Sequence, residues 1–283
     1  MMSEQTESNI STLVLYLVGP MLVLTAFQRE FSYLALGSFV RVLAISFVSI
    51  LGSSLLARKT LRVKDSPGAN DVLCSSVTFK NCGIIGLALQ NALFGSDGVF
   101  LGVAYCTAFN VLLWSYGVII FNRTEKLKPK KILLNPGTVG MYMGLALFFS
   151  STVLPNPFYT VVENVGNMNT PLSMLVIGCR MSHIRLRDLF KGDAKIWLCS
   201  LEGLMIVPAI VAFLMYIVGM RGMEPMVLLI SIGGPAAAYT SMFAIQYNRE
   251  PLLSAKIVSL QTFLSLITMP IFLSCAAQLF LKT

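Results

Sequence analysis

Apolar residues along this chain gather into nine long stretches separated by short polar connections: 10–26, 33–56, 71–93, 99–121, 136–154, 159–181, 194–219, 225–247 and 252–280. A helix needs about 20 residues to cross the hydrocarbon core of a bilayer. The first stretch is short for that task, and several others are long enough to require tilt. The sixth is polar in its first half, where Glu163, Asn164, Asn167 and Asn169 fall. The pattern predicts an all-α polytopic membrane protein with nine transmembrane helices.

Two stretches interrupt themselves. In the third, the run FKNCGIIGLALQNALFG from Phe79 carries Lys80 and Asn81 and is opened by Gly83 and Gly86. In the eighth, ISIGGPAAAYTSMFAIQY from Ile230 is broken at Gly233, Gly234 and Pro235. A bilayer offers no water to loose backbone groups, so a broken helix persists only where it lines a cavity or packs inside protein. Paired interruptions in the two halves of a transporter mark its substrate site. The two breaks are therefore expected to mark one site, with Asn81, Gly83–Gly86 and the Gly234, Pro235, Ala236 run as its candidate residues.

Mid-span prolines repeat the same spacing. Pro20 (YLVGPMLVL) lies in the first span and Pro171 (NMNTPLSMLVIG) in the sixth, while the broken spans are the third and eighth. An offset of five spans is odd, so the second copy lies upside down. This predicts inverted repeats over 10–121 and 136–280 joined by a loop at 122–135, with four spans in the first copy and five in the second. One helix is missing from the front of that plan.

Charge adds orientation. Arg58, Lys59, Arg62 and Lys64 follow the second span, and Arg123, Lys126, Lys128, Lys130 and Lys131 follow the fourth. Arg180, Arg185, Arg187, Lys191 and Lys195 surround the sixth connection, and Arg249 the eighth. Those connections share one face with fifteen Lys and Arg, against Arg29, Arg221 and Lys282 on the other. The bias predicts basic loops in the cytoplasm, with the N-terminus inside and the C-terminus outside the plasma (inner) membrane. The sequons at Asn9 and Asn122 then face the cytoplasm.

Composition agrees: the chain is 55% hydrophobic and 12% charged, with mean hydropathy +0.75, whereas soluble domains are nearer a quarter charged. The net charge of +8 belongs to membrane orientation, and no nucleic-acid partner is expected. Six cysteines are scattered through apolar stretches without a CxxC pair, so they read as small hydrophobes rather than a disulfide or zinc framework. A single histidine, His183, argues against a metal site and His-based catalysis. No basic n-region precedes the first span. No GxxxxGKS, HExxH or GxSxG occurs, so neither ATP hydrolysis nor another enzyme activity is expected, and no cofactor.

The chemistry expected at the breaks follows from helix ends. A half-helix that starts inside the membrane presents unpaired N–H groups and the positive end of its dipole, which favour an anion. Asn81 adds amide donors and an acceptor. Lys80 inside a span costs about 2.5–3.5 kcal/mol on insertion scales. It is read either as an anion attractor or as the partner of Glu202, with snorkelling toward the cytoplasm a further alternative. Glu202, deep in the seventh span, is in turn a candidate proton-coupling carboxyl or simply a partner for a lysine. Arg41 and Lys256 are assigned to packing or snorkelling. Pro20 and Pro171 either kink packed helices or flank the site. The GxxxG at Gly140–Gly144 reads as close helix packing. Asn167 and Asn169 either line a water-filled path or cap the sixth span.

The segments NCGIIGLAL from Asn81, LLNPGTVGMYMGLALF from Leu133, MNTPLSMLVIG from Met168 and GPAAAYTSMFAIQYNREP from Gly234 resemble the auxin efflux carrier family. This is the PIN-like branch of the bile acid/arsenite/riboflavin transporter superfamily. The resemblance covers nearly the whole chain from Ile10. It implies a ten-helix fold of two inverted five-helix repeats with crossed, interrupted helices at the midplane. It also implies export or exchange of organic anions by elevator-type movement, malate- or malonate-like carboxylates in bacteria, a substrate carboxylate at Asn81, and a homodimer. The chain departs from the pattern in lacking a match to the first helix and in carrying Ala88 where the family usually has proline. The competing readings are a sodium-coupled organic anion symporter and a non-transporting membrane sensor or assembly subunit.

Overall fold

The computed structural model describes residues 4–64, 66–123, 136–183 and 194–281 of the chain. The basic residues Lys126, Lys128, Lys130, Lys131, Arg185, Arg187, Lys191 and Lys282, and most of the 122–135 loop, lie outside the described residues. The described residues are almost entirely helical, and their only ladder contact is one antiparallel bridge between Lys80 and Ala236. This is an all-α integral membrane protein.

Helix α1 covers 4–26, with a π turn at Val14–Val18. Helix α2 is Tyr33–Thr60, with Arg58 and Lys59 in its last turn, where the dipole favours them. Helix α3 is Pro67–Thr78; Ser66 caps it by accepting the Ala69 N–H at 3.3 Å, and Pro67 stands at its first position. After a break, α4 (82–94) opens with a π turn at Cys82–Gly86. Gly95, at φ 59° and ψ −148°, turns the chain into α5 (96–121), a conformation that a side chain would resist. Then follow α6 (Pro136–Phe149), α7 (Phe158–Asn167), α8 (Asn169–His183) and α9 (194–217), the last with a π turn at Glu202–Ile206. The chain continues through α10 (Met223–Ile232), α11 (Ala238–Gln246) and α12 (Pro251–Phe280).

Among the described residues, Asn9–Ala26, Tyr33–Thr60, Ala194–Ile217 and Pro251–Phe280 are long and apolar enough to cross a bilayer, as is the stretch Cys82–Phe121 that Gly95 divides into α4 and α5. The third, sixth and eighth apolar stretches instead each contain two shorter helices, because each is interrupted inside the apolar run.

The helices pack as two groups. The second half of α1 lies against α6 and α7, while α2, α3, α5, α9, α10, α11 and α12 pack among themselves. Three glycines let the first group close up. A Cβ on Gly140 would come 3.2 Å from Pro20 Cα, one on Gly144 2.7 Å from the Phe27 ring, and one on Gly166 3.0 Å from the Leu22 backbone. The Gly140–Gly144 pair thus packs α6 on α1 within the chain. Where the groups meet, Phe27 stacks edge-on to Phe100 at 5.0 Å, and Phe100 lies 5.4 Å from Phe148, geometry that aromatic pairs favour.

Two charges placed inside spans are explained here. Arg41 forms a two-pronged ion pair with Glu224 at the start of α10, with contacts of 2.5 and 3.1 Å. Lys256 is exposed on α12.

The close approach at Gly144 predicts that Gly144→Ala overpacks against Phe27 at a cost of about 1–3 kcal/mol. Thermal unfolding in detergent should show a lowered Tm. Gly52→Ala, where nothing lies within 4 Å, should not lower it.

Candidate functional site

The two interrupted spans meet. The Asn81 N–H donates to the Pro235 carbonyl at 2.8 Å, and the Ala237 N–H donates to the Phe79 carbonyl at 2.9 Å. Around this pair, the hydroxyls of Ser75 on α3 and Thr240 on α11 lie 3.0 Å apart. Each break thereby answers the backbone groups that the other exposes, where water is not available to do it.

The first break falls at Phe79–Asn81, upstream of the two glycines expected to open the helix. Phe79 is extended, at φ −104° and ψ 107°, and Asn81 has φ −76° and ψ 66°. Asn81 restarts the helix: its Oδ1 accepts the Ile84 N–H at 3.3 Å and its carbonyl accepts the Gly86 N–H at 3.1 Å. Gly83 and Gly86 lie within the resulting π turn. A polar N-cap in place of a helical residue explains the shift. In the second break Gly233 ends α10, Pro235 supplies no donor, and Ala237 (φ −67°, ψ 146°) precedes α11.

Gln261 of α12 supports both breaks with one oxygen. Its Oε1 accepts the Ala236 N–H at 2.9 Å and the Lys80 ammonium at 3.4 Å. Lys80 is 1% exposed and also donates to the Ser76 carbonyl at 3.3 Å. Its Nζ fills the space beside Gly203, where a Cβ would collide with it. The expected Lys80–Glu202 ion pair is absent among the described residues. Glu202 instead accepts the Thr60 hydroxyl at 2.5 Å through Oε2, and its Oε1 is buried without a hydrogen-bond partner among the described residues. Neutral acceptors take the ammonium because Gly203 turns that face of α9 toward it.

Beside the crossing lies a cavity of about 490 Å³. Asn81, Gly83, Ala238 and Tyr239 form one wall, so the first residues of both outgoing half-helices reach it, and Lys80 borders it. Gly86, Gly234, Pro235 and Ala236 stand behind this wall, supporting it without lining the space. From α1 come Tyr16, Gly19 and Pro20, and from α8 Asn169. Pro171 and Glu202 do not line the cavity. The fourth contribution was not foreseen: Val103, Cys106, Thr107, Asn110 and Trp114 of α5. They recur at i, i+3, i+4, i+7 and i+11, one helical face. Asn110, a lone amide in the apolar run TAFNVLLW, was the available signal.

This lining has amides, hydroxyls and one lysine, and no Asp or Glu, set among apolar side chains. No cluster of His, Cys, Asp or Glu that would hold a metal occurs among the described residues.

A sequence profile described as "Membrane transport protein" matches residues 1–273. An uncharacterized transporter of Methanothermobacter thermautotrophicus is 21% identical over 276 residues, covering 95% of this chain and 89% of the relative. An uncharacterized transporter of Methanocaldococcus jannaschii is 22% identical over 280 residues, covering 94% and 88%.

The shared acceptor at Gln261 predicts non-additivity. Gln261→Leu orphans two donors, each costing about 1–3 kcal/mol. In a Lys80→Met background one of those donors is gone, so the same substitution should cost less. A double-mutant cycle on stability in detergent measures the difference, and additive costs would mean that Lys80 and Gln261 do not interact.

Proposed function

The chain belongs to the membrane transport protein family, in its auxin efflux carrier-like group, and on that premise we propose that it is a secondary transporter of small organic anions that binds them at the crossed breaks. The observation that carries the reading is the wall formed by Asn81, Gly83, Ala238 and Tyr239, where two helices begin inside the apolar layer beside a cavity without acidic residues. Partial positive charge at those starts favours a carboxylate. Because the Asn81 Oδ1 is engaged in capping, its role toward a solute is that of a donor through Nδ2.

An elevator-type movement is supported by the division of the helices. The crossing belongs to one packed group, the second half of α1 with α6 and α7 to the other, α8 touches both, and the cavity is bounded by both groups. A solute held there would cross the membrane if the group bearing the breaks slid against its neighbour, with the cytoplasmic side carrying the basic loops. Glu202 is the candidate coupling group: one buried oxygen engages Thr60 and the other has no partner among the described residues, so it can take up a proton without breaking an ion pair.

The test is exchange or uptake of labelled mono- and dicarboxylates in proteoliposomes of the inner-membrane lipid composition. Wild type should move at least one, and Asn81→Ala should weaken its apparent affinity on the order of tenfold, as loss of one hydrogen bond to a charged group implies. A wild-type protein that moves none of the panel would favour the sensor or subunit reading. Glu202→Gln should still bind the solute but lose any acceleration by a pH gradient. Unchanged acceleration would remove Glu202 from coupling.

A further inference from the structure

On the side away from the basic connections, the cavity ends against a layer of aromatic rings. Its lining stops at Val23 on α1 and starts at Val103 on α5. Phe27 stands about one helical turn beyond the first and Phe100 about one turn before the second, and their rings meet edge-on at 5.0 Å. Phe39 of α2 and Phe148 of α6 complete the layer, 5.3 and 5.4 Å from Phe100. All four rings are buried. A hydrophobic constriction of this kind excludes water and ions.

One cation lies on the outer side of the rings. The Arg29 guanidinium sits 4.6 Å from the centre of Phe100. Its Nε donates to the Ala26 carbonyl at 2.9 Å and its Nη1 to Asp97 Oδ1 at 2.6 Å. Ala26 ends α1, and Asp97 falls in the first turn of α5, just after Gly95. One side chain thus joins two helix ends, and each charge stands at the end whose dipole suits it.

The contact crosses the boundary between the two groups of helices. Residues 27–32, which follow α1, are tied to the connection after α6: the Leu154 N–H donates to Gln28 Oε1 at 2.7 Å and the Phe31 N–H to the Ser151 hydroxyl at 3.1 Å. Asp97 and Phe100 belong to α5, in the group that bears the crossing. Six residues separate α1 from α2, and such a link spans up to about 20 Å when extended. The link alone does not hold the groups in register at this edge; the rings and Arg29 do. We propose that Phe27 and Phe100, with Arg29 laid on Phe100 and paired to Asp97, seal this side of the cavity, and that release of Arg29 from Asp97 is a condition of opening it. The proposal rests on the transport reading above and names the device that keeps one face shut.

Cys106 lines the cavity and is partly exposed, so its alkylation by a membrane-impermeant, charged maleimide reports water-borne access. The full chain is treated in spheroplasts and in inverted vesicles, and labelling at Cys106 is read by peptide mass spectrometry. Asp97 is 63% exposed, so Asp97→Asn should keep the fold. From the face that bears Asp97, wild type should label slowly. Asp97→Asn and Arg29→Gln should each label on the order of three- to tenfold faster, the range that a partly exposed ion pair seated on a ring supports. The double variant should label no faster than Arg29→Gln alone, because both changes remove one pairing. From the other face every variant should stay within about twofold of wild type, as surface substitutions do. The proposal is overturned if wild type labels as fast as the variants, if both faces gain alike, if the two single gains add, or if Asp97→Asn unfolds, which would make the pair structural. Carboxylate transport is scored separately. Unchanged labelling beside intact transport sinks the seal alone, whereas a wild type that moves no carboxylate while the labelling pattern holds sinks the transport reading and leaves the seal.

Discussion

Everything in this structure answers to one constraint: a peptide group inside a bilayer must find its partner within the protein. Continuous helices meet it locally. Two spans do not, and they meet it through each other, with Asn81 bonded to Pro235 and Ala237 to Phe79. The crossing is therefore held by mutual need. Neither break would be tolerable alone, and the surrounding helices are arranged so that neither is.

That arrangement divides the labour between residues that close the crossing and residues that leave it open. Gln261, Ser75, Thr240 and the Pro235 carbonyl consume donors and acceptors on the buried side. Gly83, Ala238 and Tyr239 reach the cavity on the other. Lys80 spans this division: it borders the cavity while its ammonium is engaged behind the wall by Ser76 and Gln261. The positive charge is thus near the site, with two of its three donors engaged behind the wall.

How much of this was legible follows from which forces act locally. The apolar stretches and the existence of both breaks were readable, because span length and helix interruption depend on the residues concerned and the bilayer alone. The exact seat of the first break was not. Glycine content pointed to Gly83 and Gly86, while the competing cap at Asn81 moved the break upstream. The lysine's partners were also hidden. Proximity in composition suggested Glu202, but the register of α9 presents Gly203 instead and leaves Glu202 to Thr60. The α5 stripe from Val103 to Trp114 needed the rotation of that helix, which only packing supplies. Asn169 was noticed as a polar intrusion, but that its amide meets no hydrogen-bond partner among the described residues is a three-dimensional fact.

The engagement of Gln261 also bears on how the molecule is made. The breaks lie in the third and eighth apolar stretches, yet the oxygen that satisfies Ala236 and Lys80 comes from α12, the last of the described helices. During synthesis the earlier spans enter the bilayer before the acceptor of the Ala236 N–H exists, while Lys80 has only the Ser76 carbonyl. The crossing matures only when α12 docks, so it is finished after the spans that form it have been made.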